Sequence, residues 1–203
     1  MSLLRVGLTG GIGAGKSAVA EIWRERGAFI IDSDRLAREA VAPGSRALGA
    51  IALRWPSVIA ADGTLDRAAL ARIVFGNDGE RSVLNGIVHP RVRALARALV
   101  AQAPADALEV HVIPLLFEGE YWRTCDATVV VLAPEEARIA RVMERDGIDR
   151  AAVLERMRAQ IDPNEARRRA SYAINNDGDL ATLRLRSGIV YDHLVASRAD
   201  TPQ

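Results

Sequence analysis

Eight residues near the N-terminus combine small, basic and hydroxyl side chains at a spacing that suits phosphate binding. Residues 10–17 read GGIGAGKS and fit the pattern G-x-x-x-x-G-K-[ST]. Glycines let successive backbone N–H groups turn toward phosphate oxygens, and the dipole of a following helix adds to the attraction. Lys16 is predicted to reach the β- and γ-phosphates, and the Ser17 hydroxyl to ligate Mg²⁺. A glycine turn without a ligand is one alternative; a dinucleotide fingerprint is another, but it needs neither the lysine nor the serine.

Lys16 is also the only lysine in the chain, because every other basic residue is an arginine. A lone lysine kept against this bias indicates a place where a compact ammonium cannot be replaced by a planar guanidinium.

Two carboxylates, Asp32 and Asp34, follow the short apolar run FII. They are expected at the carboxyl edge of a sheet, where α/β proteins bind ligands, facing the phosphate site. Residues two apart in an extended segment point the same way, so one carboxylate is expected near a metal ion and the other near a substrate hydroxyl. Phosphoryl transfer needs such a group to orient and deprotonate the attacking hydroxyl. Alternatively, Asp34 only caps a helix that begins at Arg35.

Three arginines, Arg138, Arg141 and Arg145, are spaced to share one face of a helix. Three cations on one face suit a triphosphate, although a solvated basic face is an equal alternative in an arginine-rich chain.

Glu118 lies just beyond a predicted strand, again at the carboxyl edge, but a surface glutamate is the default for this residue type. His89 is either a contact for an anionic substrate or a packed side chain. The three histidines are too dispersed for a zinc site, and Cys125 is assigned no chemistry.

Short apolar segments alternate with segments of helical period, which is typical of an α/β fold with a parallel sheet. In the helix after the glycine turn, an apolar stripe is predicted at Val19, Ala20 and Trp23, with Gly27 ending the helix. The predicted strands are Leu3–Leu8, Ala28–Ile31, Ala107–Ile113, Ala127–Leu132 and Tyr172–Ile174. The predicted helices are Lys16–Arg26, Pro134–Asp146, Ala151–Gln160 and Leu180–Ser197.

The stretch from Pro43 to Ala105 has helical periods without a convincing strand and is predicted to be an insertion. Asp66 is a predicted helix start, and Pro90 is predicted in the first turn of a helix through Ala101.

The composition limits the classes of function. A chain of 203 residues, 49% hydrophobic, can bury a substantial core, and its net charge of +1 supplies no general field for nucleic acid or an anionic membrane. No apolar run approaches the roughly 20 residues that span a bilayer, and the N-terminus lacks the apolar region of a secretory signal. With a single cysteine, a reducing cytoplasm is the expected compartment.

Six segments, LTGGIGAGKS, IIDSDRLAREAV, LNGIVHPRV, VIPLLFE, RVMERDG and RMRAQ, occur in the order typical of dephospho-coenzyme A kinases. The chain resembles that family along nearly its whole length. The resemblance implies transfer of the γ-phosphoryl group of ATP to the ribose 3′-hydroxyl of dephospho-coenzyme A, with Mg²⁺. It also implies a P-loop kinase fold with a five-stranded parallel sheet flanked by helices. The core would comprise residues 1–42 and 106–203, with a helical substrate-binding insertion at about 43–105 and a lid at about 138–165.

The resemblance also implies roles for individual residues. Lys16, Asp34 and Arg141 would be catalytic, with Asp34 as the base, and Asp32 would organise Mg²⁺ or the substrate. The ATP contacts would be Gly11, Ile12, Gly13, Ala14, Gly15, Lys16, Ser17, Ala18, Arg141 and Asn175, with Asn175 near the adenine. The acceptor contacts would be Asp32, Asp34, His89, Leu115 and Glu118; the metal ligands would be Ser17 and Asp32.

Three departures from usual patterns accompany this resemblance. Ala18 stands where the family commonly has threonine, and Ser33 where alanine is usual. The segment IPLL replaces the aspartate-ended strand of other P-loop enzymes, which shifts the metal role toward Ser17 and Asp32.

Two other functions stay open on the sequence: a P-loop kinase for a different small molecule, and a nucleotide-binding module without catalysis. The expected partner is a small-molecule substrate, for a chain that is a monomer or a small homo-oligomer.

Overall fold

The computed structural model describes residues 4–199, with side chains as far as residue 197. Two compact units are present. The first is formed by Met1–Ile31 and Ala103–Gln203, so far as these segments are described, and the second by Asp32–Gln102. The strands are β1 Arg5–Gly10, β2 Phe29–Asp32, β3 Glu109–Val112, β4 Ala127–Leu132 and β5 Tyr172–Asn175. The helices are α1 Lys16–Glu25, α2 Ser33–Ala40, α3 Arg46–Arg54, α4 Arg67–Val74, α5 Asp78–Val100, α6 Glu135–Asp146, α7 Arg150–Arg158, α8 Pro163–Arg169 and α9 Leu180–Ala199.

The first unit is built on a five-stranded parallel sheet of order β2-β3-β1-β4-β5. Leu8 of the central strand β1 pairs with Val112 of β3 on one side and Val129 of β4 on the other. β1 is buried from Val6 to Gly10, since helices cover a parallel sheet on both faces. The predicted α/β class and parallel sheet are therefore confirmed.

Helix α1 packs its apolar stripe into the main core of this unit. Val19, Ala20 and Trp23 are buried, as their helical spacing predicts, and the Trp23 indole nitrogen donates to the Ser187 carbonyl at 2.9 Å. Gly27 follows the helix with φ +95°, a conformation that favours glycine after a helix C-terminus.

Several predicted ends differ from the observed ones by a few residues. β1 continues past Leu8 because Gly10 still pairs with Val131 of β4, so the strand leads directly into the glycine turn. The predicted first strand residue, Leu3, lies outside the described residues, as do residues 1–3 and 200–203 of the predicted core.

The second unit is helical, and its described backbone contains one isolated β-bridge, Ile59 to Leu65, and no strand after Asp32. Asp66 caps α4 by accepting from the Ala69 amide, as predicted. The prediction for Pro90 is wrong: α5 begins at Asp78 and carries Pro90 in its interior. Within residues 4–199, no helix combines the length and apolar character needed to cross a bilayer.

Cys125, in the first unit, is half-buried and free. Burial raises the pKa of its thiol to about 11, so the thiol stays protonated at neutral pH. This environment agrees with the prediction that Cys125 has no nucleophilic role.

Candidate active site

The turn between β1 and α1 presents unpaired backbone donors. Gly15 is the N-cap of α1, with φ +101°, and no side chain caps the helix. Within the described part of the chain, the amides of Gly13, Gly15 and Ser17 donate no hydrogen bond to protein. Because the first amides of a helix lack intrahelical acceptors, they form an anion site together with the helix dipole.

Lys16 folds back over the same turn. Its ammonium donates to the Gly10 carbonyl at 2.5 Å and to the Gly11 carbonyl at 3.2 Å. The Ala14 amide also donates to the Gly11 carbonyl, at 3.0 Å, and closes the turn. The lysine is therefore held at the mouth of the turn, where an ammonium suits the outer phosphates of a nucleotide.

The next three carbonyls of the turn are held by side chains from elsewhere in the first unit. Because a trans peptide is planar, fixing a carbonyl points the next N–H the opposite way. The Gly13 and Gly15 amides thus face away from the side chains that hold the turn, as a phosphate cradle requires. The three donors are Arg138 Nε to Ile12 O at 2.9 Å, Arg141 Nη1 to Gly13 O at 3.2 Å and Asn176 Nδ2 to Ala14 O at 2.8 Å.

Arg138 is a buried cation at this turn. It is 6% exposed, and it forms no ion pair with any residue from 4 to 199. Burial lowers the pKa of the guanidinium, with Glu135 opposing the shift, although an arginine stays charged in proteins. A buried charge without a counter-ion is costly, so a nearby anion is strongly favoured.

Arg138 and Arg141 both reach the glycine turn from α6. The third arginine of the predicted face, Arg145, does not: it pairs with Asp146 at 2.7 Å and is exposed. The shared helix face therefore brings two cations to the turn rather than three.

Two residues that hold the turn, Asn176 and Gln160, are absent from the predicted site. Asn176 directly follows the predicted Asn175 and is buried. The Gln160 carboxamide oxygen accepts from the Ile12 amide at 2.7 Å. Gln160 is the last residue of the segment RMRAQ, which the sequence analysis singled out. No local pattern in that segment indicates a contact with a residue 148 positions away.

A cavity of about 350 Å³ opens beside the turn, at the carboxyl ends of β4 and β5. Asn175 lines it, as do Ala14 of the turn and Arg138. Its walls combine apolar surface with a similar share of polar surface, which suits a planar base with polar edges. The other lining residues are Val131, Leu132, Ala133, Pro134, Pro163, Asn164, Arg167 and Asp177.

The acidic pair begins the second unit, and its local geometry corrects two predictions. Asp32 is the N-cap of α2, and its carboxylate accepts from the Asp34 amide at 2.9 Å and the Arg35 amide at 3.1 Å. Asp34 therefore does not cap the helix. It lies in the first helical turn, so the two carboxylates do not share one face of an extended segment. The prediction that both carboxylates point the same way required an extended backbone at Ser33, but Ser33 is the first residue of α2.

The other predicted acceptor residues belong to two different segments of the chain. His89 is in α5, where partial burial and then the Arg93 cation lower its pKa below the usual value. Leu115 and Glu118 follow β3, with Leu115 51% exposed. One carboxylate oxygen of Glu118 accepts from the Ile161 amide at 2.9 Å.

Gly13 provides a direct test of the turn. Its φ of +74° favours glycine, and a Cβ there would lie 2.6 Å from the Arg138 carbonyl oxygen. We expect Gly13→Ala to lower the free energy of unfolding by about 2–4 kcal/mol, from backbone strain and displacement of α6. Urea unfolding of the variant and of the wild type measures this difference in the free energy of unfolding.

Gly147→Ala is the matched control, because Gly147 has φ +65° in the same unit and a Cβ added there would meet nothing within 4 Å. It should cost about 1 kcal/mol from strain alone. Equal losses in the two variants would contradict the close packing of α6 on the turn.

Comparisons with known proteins show which family the chain is similar to. The profile of the family described as Dephospho-CoA kinase matches residues 4–182. A dephospho-CoA kinase of Streptomyces avermitilis is 43% identical over 98% of this chain and 98% of its own. The structure of TT1252 from Thermus thermophilus has a TM-score of 0.86 at 36% identity, covering 95% of this chain and 98% of its own. A dephospho-CoA kinase from Campylobacter jejuni has a TM-score of 0.60 at 24% identity, covering 94% and 97%, and shows the fold alone. The chain therefore belongs to the dephospho-CoA kinase family and has the ATP-dependent kinase activity of that family.

Proposed function

We propose that the chain transfers the γ-phosphoryl group of ATP to the ribose 3′-hydroxyl of dephospho-coenzyme A through the residues assigned below. The observation that carries the proposal is the glycine turn, whose held carbonyls leave the Gly13 and Gly15 amides unpaired beside Lys16 and two arginines. Phosphoryl transfer depends mainly on positioning and on stabilising charge at the transferring group, and this arrangement supplies both.

The ATP site is proposed to extend from the turn into the neighbouring cavity. Gly11 to Ala18 would surround the phosphates, with Lys16 on the β- and γ-phosphates and Arg141 beside the transferring group. Asn175 would lie near the adenine, since it lines the 350 Å³ cavity. The volume is at the lower end of the range for small-molecule sites, as expected for a base with part of its ribose.

Mg²⁺ is proposed as the metal, with Ser17 and Asp32 as its protein ligands. The donor chemistry fits: the Ser17 hydroxyl is on an exposed residue in the first turn of α1, and the two α2 amides that Asp32 accepts both bond the same carboxylate oxygen, Oδ1. Magnesium in such enzymes takes one or two protein oxygens and fills its other positions with phosphate and water. When bound, it neutralises charge that develops on the phosphate oxygens.

The acceptor hydroxyl is proposed to be oriented and deprotonated by Asp34. Its position in the first turn of α2 places the carboxylate where the helix dipole stabilises negative charge. The hydroxyl proton would pass to Asp34 as the ribose oxygen bonds to the γ-phosphorus and the bond to the ADP oxygen breaks. Asp32, His89, Leu115 and Glu118 would contact the acceptor.

The remaining proposals concern the organisation of the chain and its setting. The helical insertion at about residues 43–105 would bind the acceptor, and the lid at about 138–165 would cover the phosphates. The partner is a small molecule, with no nucleic acid, and the chain would act in the cytoplasm as a monomer or small homo-oligomer. A single cysteine, which cannot form a disulfide within the chain, suits a reducing compartment.

A coupled assay with dephospho-coenzyme A, ATP and Mg²⁺ tests the function. We expect ATP consumption to require dephospho-coenzyme A, and mass spectrometry to show one phosphate added to it. Turnover with nucleosides or shikimate but not with dephospho-coenzyme A would overturn the substrate. Stoichiometric nucleotide binding without turnover on any acceptor would indicate a binding module.

A further inference from the structure

The residues that flank Ile12 are both glycines, Gly11 and Gly13. Glycine allows the peptides on either side of Ile12 to rotate between alternative orientations. The direction of the Gly13 amide, which belongs to the proposed phosphate cradle, is therefore not fixed by the turn's own covalent geometry. Contacts from outside the turn must fix it.

Two such contacts hold Ile12 from both sides. The Arg138 Nε donates to the Ile12 carbonyl at 2.9 Å, and the Gln160 carboxamide oxygen accepts from the Ile12 amide at 2.7 Å. Each contact fixes one of the two peptide planes next to Ile12. Gln160 holds the Gly11–Ile12 peptide from its N–H side, while the carbonyl of the same peptide accepts from the Ala14 amide at 3.0 Å and the Lys16 ammonium at 3.2 Å. Arg138 holds the following peptide, which carries the Gly13 amide.

Gln160 is itself held in place by its neighbour in the chain. The Ile161 amide donates to the Glu118 carboxylate at 2.9 Å, and the Ile161 side chain packs with Phe117 and Val130. The short segment between α7 and α8 is thus anchored to the loop after β3, and it presents Gln160 to the glycine turn. Because the backbone of this segment is anchored, the Gln160 side chain keeps its orientation toward the Ile12 amide.

We propose that Gln160 is a positioning residue for phosphoryl transfer: it fixes the Gly11–Ile12 peptide and, together with Arg138, which orients the next peptide, it keeps the Gly13 amide in place. The proposal rests on the proposed function and adds a residue to its machinery. Gln160 acts through Ile12 on the outer part of the cradle. The amides at the start of α1, which hold the inner phosphates, do not depend on it.

Gln160→Met tests this role, because methionine has a similar length but cannot accept the Ile12 hydrogen bond with comparable strength. We expect kcat to fall about tenfold, because a small displacement of a group that positions the phosphates slows phosphoryl transfer. The affinity for ADP should stay within about twofold, because the inner amides are unchanged. The amide hydrogen of Ile12 should exchange faster with solvent by at least about tenfold.

Gln102→Met is the matched control, since the Gln102 side chain donates to the Ala98 carbonyl of its own helical region, at 3.1 Å. Its kcat and the Ile12 exchange rate should equal those of the wild type. A Gln160→Met enzyme with wild-type kcat would overturn the proposal, as would a loss of ADP affinity in step with kcat, which indicates general loosening. If the wild type does not phosphorylate dephospho-coenzyme A, the proposed function fails, while the exchange and ADP measurements still report on Gln160.

Discussion

Replacing Lys16 by methionine should reduce kcat by at least about 10²–10³-fold, the loss expected when one preorganised charge-stabilising group is removed. The ammonium bonds two carbonyls at the mouth of the turn, Gly10 and Gly11, and reaches toward the site proposed for the outer phosphates. Methionine keeps the length and apolar stem of the side chain but removes the charge. Single-turnover kinetics with saturating ATP and dephospho-coenzyme A would measure the chemical step directly.

Two further variants interpret that result. Arg24→Met removes a cation from the exposed face of the same helix, where Arg24 pairs with Glu21, and should leave kcat unchanged. Lys16→Arg keeps the charge but substitutes the residue type that the rest of the chain prefers. We expect it also to lose most activity, because a planar guanidinium does not fit a site formed for an ammonium. A Lys16→Met enzyme within tenfold of the wild type would remove Lys16 from the catalytic residues.

The parts of this fold that the sequence predicts best are those set by local pattern. β4 has the predicted bounds, Ala127–Leu132, because a run rich in β-branched and apolar residues lies between turn signals on both sides. Helix α1 begins at Lys16 as predicted, since the glycine turn fixes where helical geometry starts. The phosphate turn was predictable for the same reason: its chemistry lies in consecutive residues.

The parts that the sequence did not reveal depend on contacts between distant residues. Pro90 suggested a helix start, but Asn77 caps α5 earlier and packing of the long helix outweighs one missing hydrogen bond. Gln160 lies 148 residues from the amide that it holds, so no local period indicates the contact. Likewise, both Asp32 and Asp34 have side chains that suit a helix N-cap. The backbone of Ser33 decides between them: because Ser33 is already helical, Asp32 is the cap of α2.

Replacing Asp34 by asparagine should reduce kcat at least about 10²-fold while leaving the affinity for ATP within about threefold. Asparagine has nearly the same shape but cannot accept the proton of an attacking hydroxyl. Because Asp32 rather than Asp34 caps α2, the helix should keep its start in the variant. A fall in activity would then report on the base and not on a lost cap, which is the alternative that the sequence left open.

The control for this variant is Asp78→Asn, since Asp78 also lies in the first turn of a helix, α5, and pairs there with Arg81. Both changes remove a carboxylate that favours a helix N-terminus, at a cost of about 0.3–1 kcal/mol in stability. Only Asp34→Asn should lose turnover, and its loss should persist at every pH where the wild type is active. If Asp34→Asn keeps nearly full kcat, the base is another group, and the carboxylate of Asp32 is the next residue to replace.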